Sequence, residues 1–306
     1  MSTRRTVHLP VLLKEVVDWL APQPGMTFVD GTLGGGGHSR ALAEAVGPAG
    51  RLIALDRDPA ALETAEEELA GLPVTLVHSN FSDLPEVLSQ LGVAAIDGAL
   101  LDLGLSSDQL VDERRGFSFS TAGPLDLRFD PTSGEPAARL VNRLTAEHLA
   151  DLIYHYGEER YSRRIAAAII ERRREHPIET SAELADIIRR VVPSSRDSRR
   201  IDPATRTFQA LRIAVNKELE SLETALRRIP DCLQPGGRLA IISFHSLEDR
   251  RVKEAFRSDP RLEVLTRKPV VPGEPELSLN PRSRSAKLRI ASRRSAHQGL
   301  GGDRHQ

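Results

Sequence analysis

The sequence predicts an α/β fold: a doubly wound, mostly parallel Rossmann-like sheet with an inserted helical domain. Three observations predict it. Short apolar runs bounded by Gly, Pro or Asp alternate with helical stretches through the first 110 residues. A glycine-rich loop joins the first run to the helix behind it. The alternation gives way to helical periodicity over roughly residues 112–203 and then resumes. At 306 residues the chain has room for one large domain or two, and it needs no covalent staples.

The elements follow in order. Thr27–Asp30, Arg51–Asp56, Val74–His78 and Ile96–Leu103 read as buried strands. Ser39–Val46 follows the glycine loop as a helix. Pro59–Leu69 is a helix with Asp58 as N-cap and proline at its first position. Asp112–Gly134 is rich in Gly, Ser, Asp and Phe without a period, and is expected to be a long loop. From Thr145 to Val192 the pattern is helical. Leu149, Leu152, Ile153 and Tyr156 share one face, and Ile165, Ala168, Ile169 and Arg172 another. Thr180-Ser-Ala-Glu183 is a capping box ahead of Leu184, Ile187, Ile188 and Val191.

After a polar linker, Ser194–Asp202, the spacing of Phe208, Leu211, Val215, Leu219, Leu222 and Leu226 predicts one long helix from Ala204 to Leu226. Pro235–Gly237 is a turn, Arg238–Phe244 a strand and Leu247–Phe256 a helix. Leu262–Thr266 and Lys287–Ala291 are expected as an edge pair of strands, and the polar tail from Ser295 as disordered. The domains expected are a core over 1–111 and 204–294, an insertion over 112–203, and a tail over 295–306.

Composition narrows the class. Hydrophobic residues at 40% and charged residues at 28% exclude collagen-like, coiled-coil and disordered chains. One cysteine, Cys232, excludes an intramolecular disulfide and a cysteine-based metal cluster, as in a reducing compartment. Arg4 and Arg5 have no apolar segment behind them and no stretch is long enough to span a bilayer, so a cytoplasmic protein is expected. The net charge of −1 hides an asymmetry. Residues 1–110 carry 6 basic and 15 acidic side chains, and the remainder carries 36 and 28. The second part therefore suits an RNA backbone and the first does not.

The strongest local signal is Phe28-Val-Asp-Gly-Thr-Leu-Gly-Gly-Gly-Gly-His38. Glycines let the backbone approach a ligand, and the following helix start presents free N–H groups. Asp56, at the end of the second strand, is placed to accept hydrogen bonds from ribose hydroxyls. Together they favour a nucleoside cofactor over a glycine-rich turn beside a solvated aspartate. Dinucleotide loops space their glycines as G-x-G-x-x-G, which is absent here. Asp30 opens the loop with a negative charge, which would repel a pyrophosphate but suits the cationic S-adenosylmethionine. Phe81, after the third strand, is a candidate for an adenine face, with core packing an equal alternative. Asp102 ends the fourth strand at the carboxyl edge, where open sheets bind ligands. The nine histidines show no metalloenzyme spacing, so no metal is expected.

Eight segments taken together resemble the MraW family of 16S rRNA cytosine-N4 methyltransferases. They are Asp30–Ser39, Leu55–Pro59, Leu101–Ser107, Arg115–Phe119, Gly123–Arg128, Tyr156–Arg160, Ala204–Arg212 and Ser243–Arg250, within a likeness running from about Val11 to Ala291. The resemblance implies a class I S-adenosylmethionine-dependent methyltransferase that modifies N4 of a cytidine in the decoding centre of 16S rRNA, with the small ribosomal subunit as partner. It implies cofactor contacts at Gly36, Gly37, His38, Asp56, Phe81, Asp102 and Gln109. The Asp/Asn-Pro-Pro-Tyr/Phe tetrapeptide of better-known amino-methyltransferases is absent, and Asp102-Leu-Gly-Leu105 stands in its place.

Catalysis at a cytosine amine needs alignment and a proton acceptor. Asp102 is the first candidate by position, and His245, after the fifth strand, is another, with a buried hydrogen-bonded histidine as the plain alternative. Thr205, Gln209, Arg212 and Asn216 form one polar helix face, ordinarily a solvated one. The resemblance makes it substrate-facing and Asn216 a catalytic candidate. Phe117, Phe119 and Phe129 are candidates for the wall of a base pocket, or equally for loop anchors. Arg163-Arg164, Arg172-Arg173-Arg174, Arg189-Arg190 and Arg199-Arg200 are candidate phosphate contacts against a solvated-surface alternative, with a second basic patch at Arg282, Arg284, Lys287 and Arg289. A nucleotide-dependent oxidoreductase and an RNA-binding assembly factor with a vestigial site are the rival classes.

Overall fold

The structure, a computed structural model, describes residues 9–118, 123–193 and 202–295. Phe119, Arg199, Arg200, nearly all of the expected linker and the tail from 296 lie outside them. The chain forms two compact units. One takes the chain up to Gly104 and again from Glu220, and the other is Leu105–Leu219. The second unit thus begins before 112 and ends after 203, because a further short helix and the long helix after 203 pack with the helical segment.

In chain order the strands are β1 (Thr27–Asp30), β2 (Arg51–Asp56), β3 (Val74–His78), β4 (Ile96–Asp102), β5 (Leu233–Ser243), β6 (Leu262–Val264) and β7 (Lys287–Arg293). The helices are α1 (Leu13–Leu20), α2 (Gly37–Val46), α3 (Pro59–Glu68), α4 (Leu84–Gln90), α5 (Ser107–Val111), α6 (Ala137–Arg143), α7 (Ala146–Gly157), α8 (Ser162–Arg173), α9 (Ser181–Val191), α10 (Thr205–Asn216), α11 (Glu218–Cys232), α12 (Ser246–Ser258) and α13 (Glu274–Leu279).

The seven strands of the first unit form one sheet in the order β3-β2-β1-β4-β5-β7-β6. The pairs among β1 to β5 are parallel, and β7 runs antiparallel to both β5 and β6. The expected edge pair is present, but β7 is an interior strand and β6 alone is the edge. Pro235–Gly237 does not end the strand. It bulges out of β5, whose pairing with β4 jumps from Ile96–Leu233 to Gly98–Arg238.

Successive strand residues point to opposite faces, and the sequence fills both. Val29, Ile53, Leu101, Leu239 and Ile241 pack with Leu84 and Val87 of α4, Leu222 and Leu226 of α11, and Val252 and Phe256 of α12. Phe28, Leu52, Leu100, Ala240 and Ile242 pack with Val16 and Leu20 of α1 and Leu42 and Val46 of α2. Each such Val, Leu, Ile or Phe side chain contributes about 1.5–3 kcal/mol when fully buried. Asp58 caps α3 by accepting from the Ala60 N–H at 3.2 Å.

The helical unit has its own core, built from Leu149 and Ile153 of α7, Ile165 and Ile169 of α8, Leu184 and Ile188 of α9, and Phe208 and Leu211 of α10. The loop before α6 supplies Phe117, Leu125 and Leu127 to it. Thr180 caps α9 through the Glu183 N–H at 3.2 Å. The Glu183 side chain, expected to close the capping box, instead pairs with Arg172 at 2.9 Å and accepts from the Glu179 N–H.

The single helix expected from Ala204 to Leu226 is two. Lys217 adopts φ 51°, a left-handed conformation that stops α10 before α11 begins. The Asn216 side chain also donates to the Arg212 carbonyl one turn earlier, at 2.9 Å. Phe208 and Leu211 serve the helical core, whereas Leu222 and Leu226 serve the sheet core. The apolar spacing runs through the break without marking it.

Candidate active site

The sheet order reverses between β1 and β4, which places the ends of these strands at a topological switch point. Asp30 ends β1 and Asp102 ends β4. Asp30 is wholly buried. One of its oxygens accepts from Ser39 Oγ at 2.7 Å and the other from the Thr32 N–H at 3.1 Å. Thr32 Oγ1 accepts from the Asp102 N–H at 2.6 Å, which ties the two strand ends together. Burial pushes the Asp30 carboxyl above its ordinary value, against the opposing influence of His38.

The glycine loop leads directly into α2. Gly36 takes φ 73° at the helix N-cap and supplies no side-chain cap, so the first N–H groups of α2 stay available to a ligand. A Cβ on Gly31 would come within 2.4 Å of Leu101 Cδ2 and 2.9 Å of Phe81 Cβ, so only glycine lets the loop lie so close to β4 and Phe81. Phe81 is half-buried and packs against the sheet core while keeping part of its ring open. His38 is buried. Its Nε2 lies 2.9 Å from the Val11 carbonyl and its Nδ1 3.7 Å from Asp102 Oδ2.

Asp56 accepts from the Gly34 N–H and the Asp58 N–H, both at 2.8 Å. Burial pushes its carboxyl up to about 6, more than these two bonds hold it down. Asp102 is likewise pushed up to about 6 by burial, with His38 opposing and Asp30 and Glu248 adding to the rise. Of the sequence-derived residues, the fold brings Gly36, Gly37, His38, Asp56, Phe81 and Asp102 to one edge of one sheet. Sequence reasoning passed over Thr32, Ser39 and the Val11 carbonyl. Thr32 and Ser39 carried a faint signal, as hydroxyls two and nine positions after Asp30.

Gln109 lies in the helical unit. Its Oε1 accepts from the Ser106 N–H at 3.1 Å and its own N–H bonds Ser106 Oγ, a capping box that starts α5. His245 is the N-cap of α12. Its Nδ1 accepts from the Glu248 N–H at 3.4 Å and its Nε2 faces Glu248 Oε1 at 3.0 Å, so both nitrogens are turned to one neighbour. Asn216 is 2% exposed. Its amide donates to the Leu127 and Arg212 carbonyls, and its oxygen accepts from the Phe129 N–H at 2.7 Å.

Three of the four residues of the expected substrate face of α10, Gln209, Arg212 and Asn216, are thus engaged within their own unit. Gln209 bonds the Tyr156 carbonyl at 3.0 Å, and Arg212 makes two bonds to Glu218 at 2.9 and 3.0 Å. Phe117 is buried and stacks on Phe129 at 5.8 Å, as loop anchors do. In the second basic patch, Lys287 and Arg289 both pair with Asp249, at 3.1 and 2.6 Å.

A carboxylate at the end of β2, a glycine loop at the switch point and an antiparallel β7 ahead of the edge strand define a class I S-adenosylmethionine-dependent methyltransferase. The donor set fits that cofactor: buried carboxylates suit hydroxyls and cationic groups, and the loop leaves backbone N–H groups free of side chains. The chain belongs to the MraW methylase family, whose sequence profile matches residues 5–294. It is 51% identical over 96% of its length to "Ribosomal RNA small subunit methyltransferase H" of Thermomicrobium roseum, covering 95% of that protein. It is equally identical to the protein of that name in Pelobacter propionicus, over 94% of this chain and 98% of that one. Among solved structures, a putative rRNA-methylase from Clostridium thermocellum aligns over 93% of this chain and 98% of its own at a TM-score of 0.47 and 14% identity.

Proposed function

We propose that this protein transfers a methyl group from S-adenosylmethionine to N4 of a cytidine in the decoding centre of 16S rRNA, within the small ribosomal subunit in the cytoplasm. The observation that carries the substrate is near-full-length identity of about half to proteins named for the ribosomal small subunit. The described residues contain no helix long and apolar enough to cross a membrane.

S-adenosylmethionine, when bound, supplies an activated methyl group. The chain's residues then have three tasks. Asp56 accepts from ribose hydroxyls, and its prior bonds to Gly34 and Asp58 hold it in place for that. Gly36, Gly37 and Phe81 shape the cradle, while Gln109 serves the start of α5 in the helical unit. The third task is the proton. The cytosine amine is a weak nucleophile because its lone pair is delocalised, and it becomes acidic as the new N–C bond forms. Asp102 accepts from that N–H in this reading, which its raised proton affinity supports, since it makes a better acceptor than an ordinary carboxylate. His245 and Asn216 act by holding the α12 start and the Leu127–Phe129 segment, so they position rather than touch the reacting groups.

Nucleoside mass spectrometry of small-subunit rRNA from cells with and without the protein tests this function. Loss of one N4-methylated cytidine is expected, with the mark restored by the purified enzyme on unmodified subunits. Unchanged rRNA would exclude the assignment. An oxidoreductase is the disfavoured alternative, since a dinucleotide sheet has a parallel sixth strand where this one has β7.

A further inference from the structure

Six arginines lie on or beside α8, and their partners sort them. Neighbouring helical residues are about 100° apart, so three in a row cannot share a face. Arg172 turns to α9 and pairs with Glu183 at 2.9 Å, and also with Glu175 at 3.3 Å. Arg173 turns to α6 and donates to the Val141 carbonyl at 2.6 Å. Arg174 points away from both and is exposed, and its backbone keeps helical dihedrals. Arg163 is exposed as well. Arg174 lies eleven positions after Arg163, which returns it to the same face after about three turns and ~16 Å of rise. Exposed Ala167 lies between them, a short side chain that leaves the stripe open. At its start, the Arg160 and Arg164 guanidiniums sit 4.7 and 5.8 Å from the Tyr161 ring. Among the described residues none of Arg160, Arg163, Arg164 and Arg174 pairs with a carboxylate; Glu171 lies at the stripe's edge, and exposed Glu158 and Glu175 flank its two ends.

We propose that this stripe of α8, from Arg160 to Arg174 through Arg163 and Ala167, is the surface on which the helical unit docks an RNA phosphate backbone. The proposal rests on the rRNA substrate assigned above and names the contact it uses. Charge complementarity carries it: guanidinium forks held in a row, without internal carboxylates to neutralise them, match a row of phosphates. The same sorting removes Arg172 and Arg173, which hold the unit together, from the RNA contacts.

Binding of the full-length protein to small-subunit rRNA across a salt series tests this. Arg163→Glu with Arg174→Glu should weaken affinity at 0.1 M salt by about tenfold or more and lower the log–log salt slope by about 1.4–1.8, two contacts' worth. The milder Arg163→Gln with Arg174→Gln should lower the slope equally. S-adenosylmethionine affinity and thermal stability should stay at the parent values. A charge-matched control, Lys253→Glu with Arg257→Glu on exposed positions of α12, should change affinity less than about threefold. Parent-like affinity and slope in the α8 variants, or an equal loss in the control, would overturn the proposal. The substrate assignment is read separately, from methyl transfer by the unaltered enzyme to small subunits. Failure there would remove the substrate while the binding data still report on the surface.

Discussion

His38 Nδ1 lies 3.7 Å from Asp102 Oδ2, while the opposite ring nitrogen, Nε2, lies 2.9 Å from the Val11 carbonyl. A carbonyl can only accept, so Nε2 carries a proton. In the neutral ring Nδ1 then turns a lone pair toward a carboxylate. That contact is favourable only when one of the two groups holds a further proton. Asp102 therefore sits where its charge depends on its neighbour: burial raises its proton affinity, His38 opposes the rise, and Asp30 and Glu248 add to it. If Asp102 meets the cofactor, binding is linked to pH through this edge of the sheet.

The linkage has a definite sign. Asp56 and Asp102 have folded-state values of about 6, above the ~4 of an unfolded carboxyl. The folded apo-protein therefore holds these protons more tightly than the unfolded chain. Their contribution to stability is full below pH ~4 and is lost as pH rises through about 6. A cationic, hydroxyl-bearing cofactor favours the ionised carboxylates, so its affinity should increase from pH 5 to pH 7 and then level off. Calorimetric titration at intervals across that range checks this, and Asp56→Asn should shallow the slope. A flat affinity profile would show that neither carboxylate meets the cofactor.

Asp56→Ala tests the proposed ribose contact. A charge-assisted hydrogen bond contributes about 1.5–3 kcal/mol, so affinity should fall roughly 10- to 150-fold. The variant also strands the Gly34 and Asp58 N–H groups. Circular dichroism and a melting curve separate that local effect from cofactor loss. A folded variant with parent affinity would remove Asp56 from the site.

Asn216 is a test of positioning in the helical unit. Asn216→Ala leaves the Phe129 N–H and Leu127 carbonyl without their buried partner. Each such group costs about 1–3 kcal/mol. Leu127 itself has φ 64°, which a non-glycine residue adopts only when its surroundings enforce it. Hydrogen exchange should accelerate at residues 123–130 in the variant, while S-adenosylmethionine affinity stays near the parent value. Protection unchanged over that segment would mean that the loop is held by other contacts.

The sheet was largely legible because buried parallel strands are short apolar runs with abrupt ends, and Asp30, Asp56 and Asp102 stand at three of those ends. What escaped has a common cause. The stop at Lys217 leaves no mark, since lysine has no preference for a left-handed backbone and the apolar spacing continues past it. Arg172, Arg173 and Arg174 look like one basic cluster in the sequence, but the phase of α8 sends them in three directions. The polar face of α10 looks solvated or substrate-facing until its partners Tyr156, Leu127 and Glu218 are placed. Side-chain pairing across long sequence separations decides these cases, and no local pattern encodes it.

The role of Asp102 separates kinetically. Its carboxylate is nearly isosteric with asparagine, and Asn can keep the bond to the Gly104 N–H, so Asp102→Asn should preserve the strand end. If the carboxylate chiefly binds the cofactor, the variant raises the cofactor KM and leaves kcat near its original value at saturation. If it accepts from the N4 amine as the bond forms, kcat falls even with saturating cofactor, by the ~10²–10⁴ typical of a general base. Asp102 stands at the switch point, bonded through its own N–H to Thr32 and facing His38. The expected result is a mixed effect led by KM, with the remaining kcat losing the acid limb of its pH profile, because asparagine cannot take up a proton as the carboxylate does. Steady-state assays with methyl-labelled cofactor and small ribosomal subunits across pH 5–8 read both parameters. A variant with KM, kcat and pH profile all unchanged would take Asp102 out of the reaction and leave its contact with His38 as a purely structural one.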